Sequence, residues 1–290
     1  MLCTIGDLVD DVVVWLDEPV QPAADTVCRI FRLRGGSAAN VAAFAAAAGA
    51  RTRFVGQVGD DEAGRRLTGD LAAAGVDVKV IRSGRTGTVV VLVDPQGERS
   101  MLTDRGSTTA LSRVAPHWLE GVEVLHLPAY SLVEGPLARA SRAAAAVVNA
   151  GGGQVTVDAS STSVLVRYGP SRFRDDLDRL APTVLFANEA EAAVLRLADA
   201  PMKGVGLTVV KRGGAPVLLA TPTGVIAEVP MPSIAGQPLD TTGAGDAFAA
   251  GFLAARVRGA DDRDAAAAGG ELALATLTQP GATVAASSKR

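Results

Sequence analysis

The segment LDTTGAGDAFAAGF, residues 239–252, places an acidic side chain directly after a loop that carries almost no side chains. If a helix begins near Ala244, its first backbone N–H groups have no partner within the helix and form an anion site at the positive end of the helix dipole. Asp246 then stands beside that site. N–H groups of Gly243, Ala244 and Gly245 would neutralise a transferred phosphoryl group, while the carboxylate takes the proton of the attacking hydroxyl.

A simpler interpretation of the same segment is that Asp246 only complements the helix dipole, which is worth about 0.3–1 kcal/mol. The local pattern does not decide between the two roles. It does exclude a dinucleotide fingerprint, because Phe248 stands where the third glycine is required. A P-loop is excluded as well, since the chain contains no Gly-Lys dipeptide.

A second motif, RLRGGSAANVAAFAAAAGARTRFVGQVGDDEAGRRL, spans residues 32–67. Gly35 and Gly36 predict a tight strand-to-helix turn where the backbone approaches a ligand closely. Asn40 lies one turn into the following helix and either offers its amide to a ligand or packs locally, and spacing alone favours the local role. Asp61, with Asp60 before it, is predicted to cap the next helix.

Taken together, the two segments resemble the two signatures of the ribokinase-like (PfkB) family of carbohydrate kinases. The later segment matches nearly residue for residue over 240–252, and the resemblance covers the whole chain. It implies an ATP-dependent kinase that phosphorylates a hydroxymethyl-type alcohol of a sugar or sugar-like molecule. It also implies that Asp246 is the base and that residues 243–245 form the anion hole.

The resemblance assigns a nucleotide site to two further segments. FANEAE, residues 186–191, is similar to the family's N-x-x-E motif, in which Glu191 would orient the water shell of Mg²⁺ on the ATP phosphates and Asn188 accompanies it. From the residues alone, NEAE indicates a capped helix start. In VVKRGGAP, Gly213 matches a nucleotide-contacting glycine, and Lys211 either reaches a phosphate or is an exposed lysine.

On the sugar side, the resemblance matches four substrate-facing positions: Asp11, Gly35, Gly36 and Asn40. Arg105 is predicted to contact an acidic or phosphorylated substrate. Two departures leave the substrate open. SSTSV follows VTVDAS in place of a segment with a phosphate-binding arginine, and HLPAYSL lacks a glutamate that ribokinase-type enzymes set against the sugar.

A monovalent cation, with K⁺ the candidate, is a further implication of the resemblance. Asp240 and Thr242 match the family's cation-binding positions, and QPGAT at 279–283 is similar to the loop that completes that site. Not every member of the family uses such a cation.

Composition limits the class of protein. The chain has 290 residues, 48% hydrophobic and 20% charged, which is typical of a globular protein with one large domain. A net charge of −3 gives no reason to expect nucleic acid or a membrane surface as a partner. Two cysteines, no signal-peptide pattern and apolar runs too short to span a bilayer predict a cytoplasmic protein.

Short apolar runs alternate with helical segments, which predicts βαβ units and a mostly parallel sheet. The resemblance specifies a ribokinase-like three-layer α/β/α domain over residues 1–290. Strands are predicted at 2–7, 51–59, 122–127, 154–159, 183–188, 206–213 and, as a hairpin, 216–229. Helices are predicted at 39–48, 61–74, 135–150, 189–198, 244–257 and 262–277.

Two regions, 10–34 and 86–103, break the alternation and predict a small, mainly antiparallel sheet that covers the carboxyl edge of the main sheet as a lid. An exposed edge of this lid would favour a homodimer.

Two alternative functions stay open. A nucleoside kinase of the same fold needs an aromatic or apolar slot in the lid. With 4% aromatic residues and only Trp15 and Phe31 as main lid candidates, the sequence favours a bare sugar. A non-catalytic sugar-binding protein would have no need of Asp246 as a base. Neither His117 nor His126 is predicted to be catalytic.

Overall fold

The computed structural model describes residues 1–133, 135–233, 241–278 and 282. Within these ranges, nine strands form one sheet in the order β13-β12-β11-β10-β9-β8-β1-β4-β5, and four form a second sheet in the order β3-β2-β6-β7. The strands are β1 (Leu2–Gly6), β2 (Val9–Leu16), β3 (Cys28–Gly35), β4 (Thr52–Val58), β5 (Asp77–Arg82), β6 (Thr88–Val93), β7 (Arg99–Asp104), β8 (Val124–Pro128), β9 (Gln154–Asp158), β10 (Val184–Asn188), β11 (Leu207–Arg212), β12 (Ala215–Thr221) and β13 (Gly224–Val229).

Helices cover both faces of the large sheet. They are α1 (Ser37–Ala47), α2 (Glu62–Ala73), α3 (Tyr130–Val133), α4 (Gly135–Ala150), α5 (Thr162–Tyr168), α6 (Pro170–Leu180), α7 (Glu189–Val194), α8 (Ala244–Val257) and α9 (Asp262–Thr276), with 3₁₀ turns at Gly106–Ala110 and Pro116–Trp118. In the described part of the chain, no helix combines the length and the apolar character needed to cross a membrane.

Alternation along the buried strands divides the core between the two faces of the large sheet. In β10, Leu185 packs in the cluster that contains Phe173 and other residues of α4–α6. Its neighbour Phe186 belongs to the opposite cluster and meets Phe252 of α8 edge-on, with ring centroids 5.2 Å apart. The result is the three-layer α/β/α, ribokinase-like arrangement that the sequence predicts.

From β5 across to β11, neighbouring strands of the large sheet run parallel, so their carboxyl ends meet at one edge. Asp158 ends β9 and pairs in register with β10, while Asn188 ends β10 and lies opposite Lys211 of β11. In open α/β sheets this edge is where ligands bind.

The small sheet, which we call the lid, matches the predicted regions. The β2–β3 and β6–β7 pairs are antiparallel and β2–β6 is parallel. Asp10 of β2, almost completely buried, pairs with Arg32 within the lid and connects the lid to the body through an ion pair with Arg66 of α2.

Most predicted elements are confirmed, and α8 has the predicted bounds. Asp61 caps α2 by accepting from the Gly64 N–H at 2.8 Å, and His126 is a buried core residue of β8. Strand β5 and helices α3, α5 and α6 were not predicted. Strand β5 is an edge strand with several charged residues, and α6 has only Phe173 and Leu177 buried, so neither shows a strong apolar pattern.

Candidate active site

A cavity of about 970 Å³ lies at the carboxyl edge of the large sheet, beneath the lid. The lid contributes alternate residues of β2, β6 and β7, and the body contributes strand ends and the first turns of α1 and α8. Because alternate residues of a strand share one face, the lid presents a continuous wall to this space.

Asp246 lines the cavity in the first turn of α8 and is held by two donors from α1. Ser37 Oγ donates to Asp246 Oδ1 at 2.7 Å, and Asn40 Nδ2 donates to Oδ2 at 2.9 Å. Burial raises the pKa of Asp246 to about 7, against the lowering effect of the two hydrogen bonds. The carboxyl therefore changes charge near neutral pH, which is a favourable range for a group that accepts and releases a proton.

Asn40 does not cap α1. Its Oδ1 accepts from Arg34 Nη1 at 2.8 Å while its Nδ2 donates to Asp246. The arginine thus orients the amide so that its NH₂ group faces the carboxylate. Gly36, just before α1, has φ 102°, and a Cβ there would lie 2.4 Å from the Asp7 carbonyl oxygen, so this sharp entry requires glycine.

The loop before α8 is tightly packed. Gly243 has φ 76°, and a Cβ there would lie 2.6 Å from the Cβ of Ala282. The N–H of Ala244 donates to the Thr241 carbonyl at 3.2 Å, so it is already engaged. Next along the helix are the N–H groups of Gly245 and Asp246, which by their position in the first turn have no acceptor within α8.

Near this loop, the cavity lining combines acids with a buried lysine. Lys211 Nζ lies 2.7 Å from Asp158 Oδ2, and its side chain is only 14% exposed. The alternative interpretation, in which Lys211 is an exposed lysine, is therefore wrong. A Cβ on Gly245 would lie 3.3 Å from Nζ, so the ammonium also stands beside the loop that precedes Asp246.

Glu191 and Asn188 form a capping box at the start of α7, and both line the cavity. Glu191 Oε2 accepts from the Asn188 N–H at 2.8 Å, and Asn188 Oδ1 accepts from the Glu191 N–H at 2.9 Å. Burial, and then the charge of Asp158, raise the pKa of Glu191, although Lys211 opposes the shift. The capped helix start that the residues alone indicate is thus confirmed, and it faces the same space as Lys211 and Gly213.

Asp11 stands at the other end, on β2 of the lid. A Cβ on Gly35 would come within 2.1 Å of the Asp11 carboxylate, so this glycine makes room for the acid. Burial, and then the negative charges of Asp7 and Asp10, raise the pKa of Asp11 to about 7, while Arg34 opposes them. A carboxyl in this position gains from hydroxyl donors that satisfy its oxygens.

Arg105 lines the cavity close to Asp11's end, but its charge is already compensated. Its Nη1 lies 3.2 Å from Asp7 Oδ2, and its guanidinium stacks 4.0 Å from the ring centroid of Tyr130. Tyr130 lies in HLPAYSL, where the family's glutamate is missing from this chain.

The lid wall of the cavity contains four apolar side chains, Val9, Val89, Val91 and Met101, beside the polar Asp11, Arg99 and Thr103. The aromatic candidates are elsewhere. Trp15 and Phe31 pack edge-on against each other with centroids 6.3 Å apart, and neither is among the described residues that line the cavity. Of the described residues, Trp15 and Phe31 therefore offer no aromatic slot, and the apolar side chains of the lid that face the cavity are valines and a methionine.

Comparison with known proteins identifies the family. The model of the pfkB family carbohydrate kinases matches residues 1–289. The chain belongs to this family.

A fructokinase of Klebsiella pneumoniae is 33% identical over 282 residues, 90% of each chain. An ATP-dependent ribose-1-phosphate kinase of Halopiger xanaduensis is 33% identical over 233 residues, 76% of this chain and 72% of that protein. The solved structure of adenosine kinase from Sinorhizobium meliloti has a TM-score of 0.86 and 25% identity, over 99% of this chain and 96% of that one. The protein is therefore an ATP-dependent carbohydrate kinase, which phosphorylates a sugar or a nucleoside.

In this kinase, most predicted site residues meet in the one cavity. Those that line it are Asp11, Gly36, Asn40, Arg105, Asn188, Glu191, Lys211, Gly213, Thr242, Gly243, Ala244, Gly245 and Asp246, while Gly35 lies behind Asp11. Asp240, with all of 279–283 except Ala282, falls outside the described residues. Of the predicted cation-binding pair only Thr242 is described, and its Oγ1 accepts from Arg99 Nη1 at 2.6 Å.

Several residues of the kinase site were missed from the sequence. Ser37 lies inside GGSAANVA and Asp158 ends VTVDAS, so both stood in quoted segments as polar residues at a helix start and a strand end. Asp7 similarly follows β1 directly. No sequence pattern around Arg99 indicated a site residue, because only the folded lid brings it to the loop before α8.

Proposed function

We propose that the kinase transfers the γ-phosphoryl group of ATP to a hydroxymethyl-type alcohol of a sugar or sugar-like molecule, with Asp246 as the base. The observation that carries this proposal is the placement of Asp246, held between Ser37 and Asn40 at the start of α8, in the cavity. A pKa of about 7 for this carboxyl supports the same role. The non-catalytic alternative is disfavoured, because a binding protein gains nothing from such a carboxylate.

In the proposed reaction, the acceptor hydroxyl lies beneath the lid and gives its proton to Asp246 late in the transfer. Negative charge then builds up on the transferred group. The N–H groups of Gly243, Gly245 and Asp246 around the start of α8 stabilise this charge, whereas that of Ala244 already has an acceptor. Lys211, beside the same loop, adds a positive charge.

For Mg²⁺, the donor set of the described residues fits an ion that keeps part of its water shell. Asp158 and Glu191 line the nucleotide end of the cavity, and their proximity is evident in the raised pKa of Glu191. We assign Glu191 to hold the ion through water, with the ATP phosphates as the other ligands. When bound, Mg²⁺ neutralises charge on the phosphates.

A nucleoside is the second candidate acceptor, and the aliphatic lid wall favours it. A nucleobase requires an apolar surface, and Val9, Val89, Val91 and Met101 offer one. Arg105 is committed to Asp7 and Tyr130, which argues against the predicted acidic or phosphorylated acceptor.

The test of the function is ADP release, by a coupled assay, from MgATP and a panel of acceptors. The panel contains pentoses, hexoses, keto-deoxy acids, sugar phosphates and nucleosides. We expect ADP release with one neutral class of acceptor, sugars or nucleosides, to rise well above the background of ATP hydrolysis. The apolar side chains of the lid wall favour a nucleoside. A flat panel with bound ATP would contradict the proposal, and strong turnover of sugar phosphates or acids would contradict the role given to Arg105.

The pH profile follows from the same carboxyl. Since the base must be unprotonated and its pKa is about 7, kcat/KM for the acceptor should fall about tenfold per pH unit below pH 7. Asp11 has a similar pKa and would give the same pH dependence, so the profile is also measured for Asp11→Asn. This variant should still show the fall in kcat/KM below pH 7, because Asp246 is unchanged. A flat profile from pH 5.5 to 8 would argue against Asp246 as the base.

We propose a homodimer formed through the lid. Its edge strand β3 exposes Ile30 and Phe31, and the preceding Val27 is 74% exposed, which together form an unpaired apolar edge. Sedimentation velocity should give a dimer that Phe31→Lys converts to monomer. Val166→Lys on α5 is the control and should stay dimeric, since Val166 is also an exposed apolar residue but lies outside the lid strands. A monomeric parent protein would refute this proposal.

We also propose that the kinase works in the cytoplasm as one ribokinase-like domain over residues 1–290. The cytoplasm supplies the ATP that the reaction consumes. Cys3 and Cys28 are both free thiols, which fits a reducing compartment. The family match across residues 1–289 supports the single domain.

A further inference from the structure

Arg99 connects the far end of the lid to the loop before α8. It is the first residue of β7 and directly follows the turn of the β6–β7 hairpin, so it lies at the tip of that hairpin. Its Nη1 lies 2.6 Å from Thr242 Oγ1 and 3.4 Å from Thr241 Oγ1, a contact between residues more than 140 positions apart.

Arg99 also faces the cavity. Its neighbours Glu98 and Ser100 are exposed, whereas Arg99 is half-buried and shares the cavity-facing side of β7 with Met101 and Thr103. Arg99 therefore lines the substrate space and bonds the loop that leads directly into the proposed phosphoryl-binding N–H groups at the start of α8.

This arrangement does not fit a monovalent cation at Thr242. The family resemblance assigns Thr242 to such a cation, but its hydroxyl oxygen here accepts from a guanidinium, which is always charged. A second cation on the same oxygen would stand within a few ångströms of the first and be strongly repelled.

We propose that Arg99 is a positioning residue that supplies, from the lid, the positive charge that K⁺ would supply beside the loop. The inference rests on the proposed function. It has two consequences: catalysis does not require K⁺, and the loop is held in place only when the lid lies over the cavity. Water is then excluded at the moment when the loop is ordered, which protects ATP from hydrolysis.

A purely structural role for Arg99 would predict something different. If the arginine only tethered the lid, its removal would raise KM for the acceptor or lower the melting temperature and leave kcat unchanged. If it positions the phosphoryl-binding loop, the loss falls on kcat, and a shorter cation in the same place restores part of it.

The experiment compares the parent protein with Arg99→Met, Arg99→Lys and Arg85→Met, using the best acceptor of the panel. Each is assayed in KCl and in tetramethylammonium chloride at equal ionic strength. Arg85 is the matched control, because it is an arginine near the lid that pairs with Asp104 on the surface and is not among the described cavity residues. Melting temperature and ATP affinity are measured for every variant.

We expect the parent kcat to agree within twofold in the two salts and Arg99→Met to lose at least tenfold in kcat. Arg99→Lys should lose less, and Arg85→Met should match the parent. Thr242→Val should lower kcat as well, and the double variant with Arg99→Met should lose less than the product of the two single losses, because both substitutions remove the Arg99–Thr242 bond.

A parent kcat that falls tenfold or more without K⁺ would overturn the inference. So would an unchanged kcat in Arg99→Met, or losses in the two single variants that multiply in the double variant. In these cases the proposed kinase function stands, since the parent protein turns over. A panel on which the parent protein is inactive in both salts would overturn the function and this inference together.

Discussion

Replacement of Asp246 by Asn is expected to lower kcat by about a hundred- to ten-thousand-fold, the usual contribution of a positioned general base. The amide has the size of the carboxyl, and its oxygen can still accept from Asn40 while its NH₂ group donates to the Ser37 hydroxyl, but it cannot take the acceptor's proton. ATP affinity, measured by calorimetry, should change little. The matched control is Asp264→Asn, which makes the same chemical change in the first turn of α9 and should leave kcat unaltered.

The same variant should be more stable than the parent protein above pH 7. The folded state raises the pKa of Asp246 from 3.8 to about 7, so it disfavours the ionised form, and stability is lost as the pH rises through this window. Removing the carboxyl should therefore raise the free energy of unfolding at pH 8 by roughly 1–3 kcal/mol. An inactive variant with a lower melting temperature would contradict this explanation, because its inactivity could then follow from misfolding.

Replacement of Asp11 by Asn is expected to lower kcat/KM for the acceptor by about 10- to 150-fold, the range of one lost hydrogen bond to a charged group. Most of this loss should appear in KM for the acceptor, with KM for ATP unchanged, because Asp11 lies on the lid wall of the cavity, where we propose that the acceptor binds.

Asp17→Asn serves as the control for Asp11. Asp17 follows the same strand but is 60% exposed and pairs with Arg29 at the surface. It should match the parent protein in both kinetic constants. Equal effects of the two substitutions, or an Asp11→Asn effect confined to KM for ATP, would contradict acceptor binding by Asp11.

The sequence predicted most of the large sheet because buried parallel strands such as Val184–Asn188 are short apolar runs that end at polar residues. Helix α8 was predicted to the residue, since it begins at a glycine loop and continues as a uniform apolar run. Strand β5 lacks this contrast, because an edge strand needs burial on fewer sides and tolerates Asp77 and Lys79.

The site shows a similar division. Residues within a motif, such as Asp246, were predicted, whereas contacts between distant segments were not. Lys211 and Asp158 pair because β9 and β11 flank β10, and no spacing along the chain encodes that distance. The bond from Arg99 to Thr242 depends on where the lid lies, which local patterns do not report.

The cavity runs without interruption from the lid wall to Lys211 and Gly213, past the first turn of α8. Both substrates of the kinase would therefore occupy one chamber and meet end to end. A bisubstrate inhibitor, with the acceptor joined to adenosine through a phosphate chain, should engage both ends in a single binding event. The second half would bind at a high effective concentration, so its affinity should greatly exceed that of either half alone. Its acceptor half would carry the selectivity, because the valine and methionine wall and Asp11 differ in character from the phosphate-binding end.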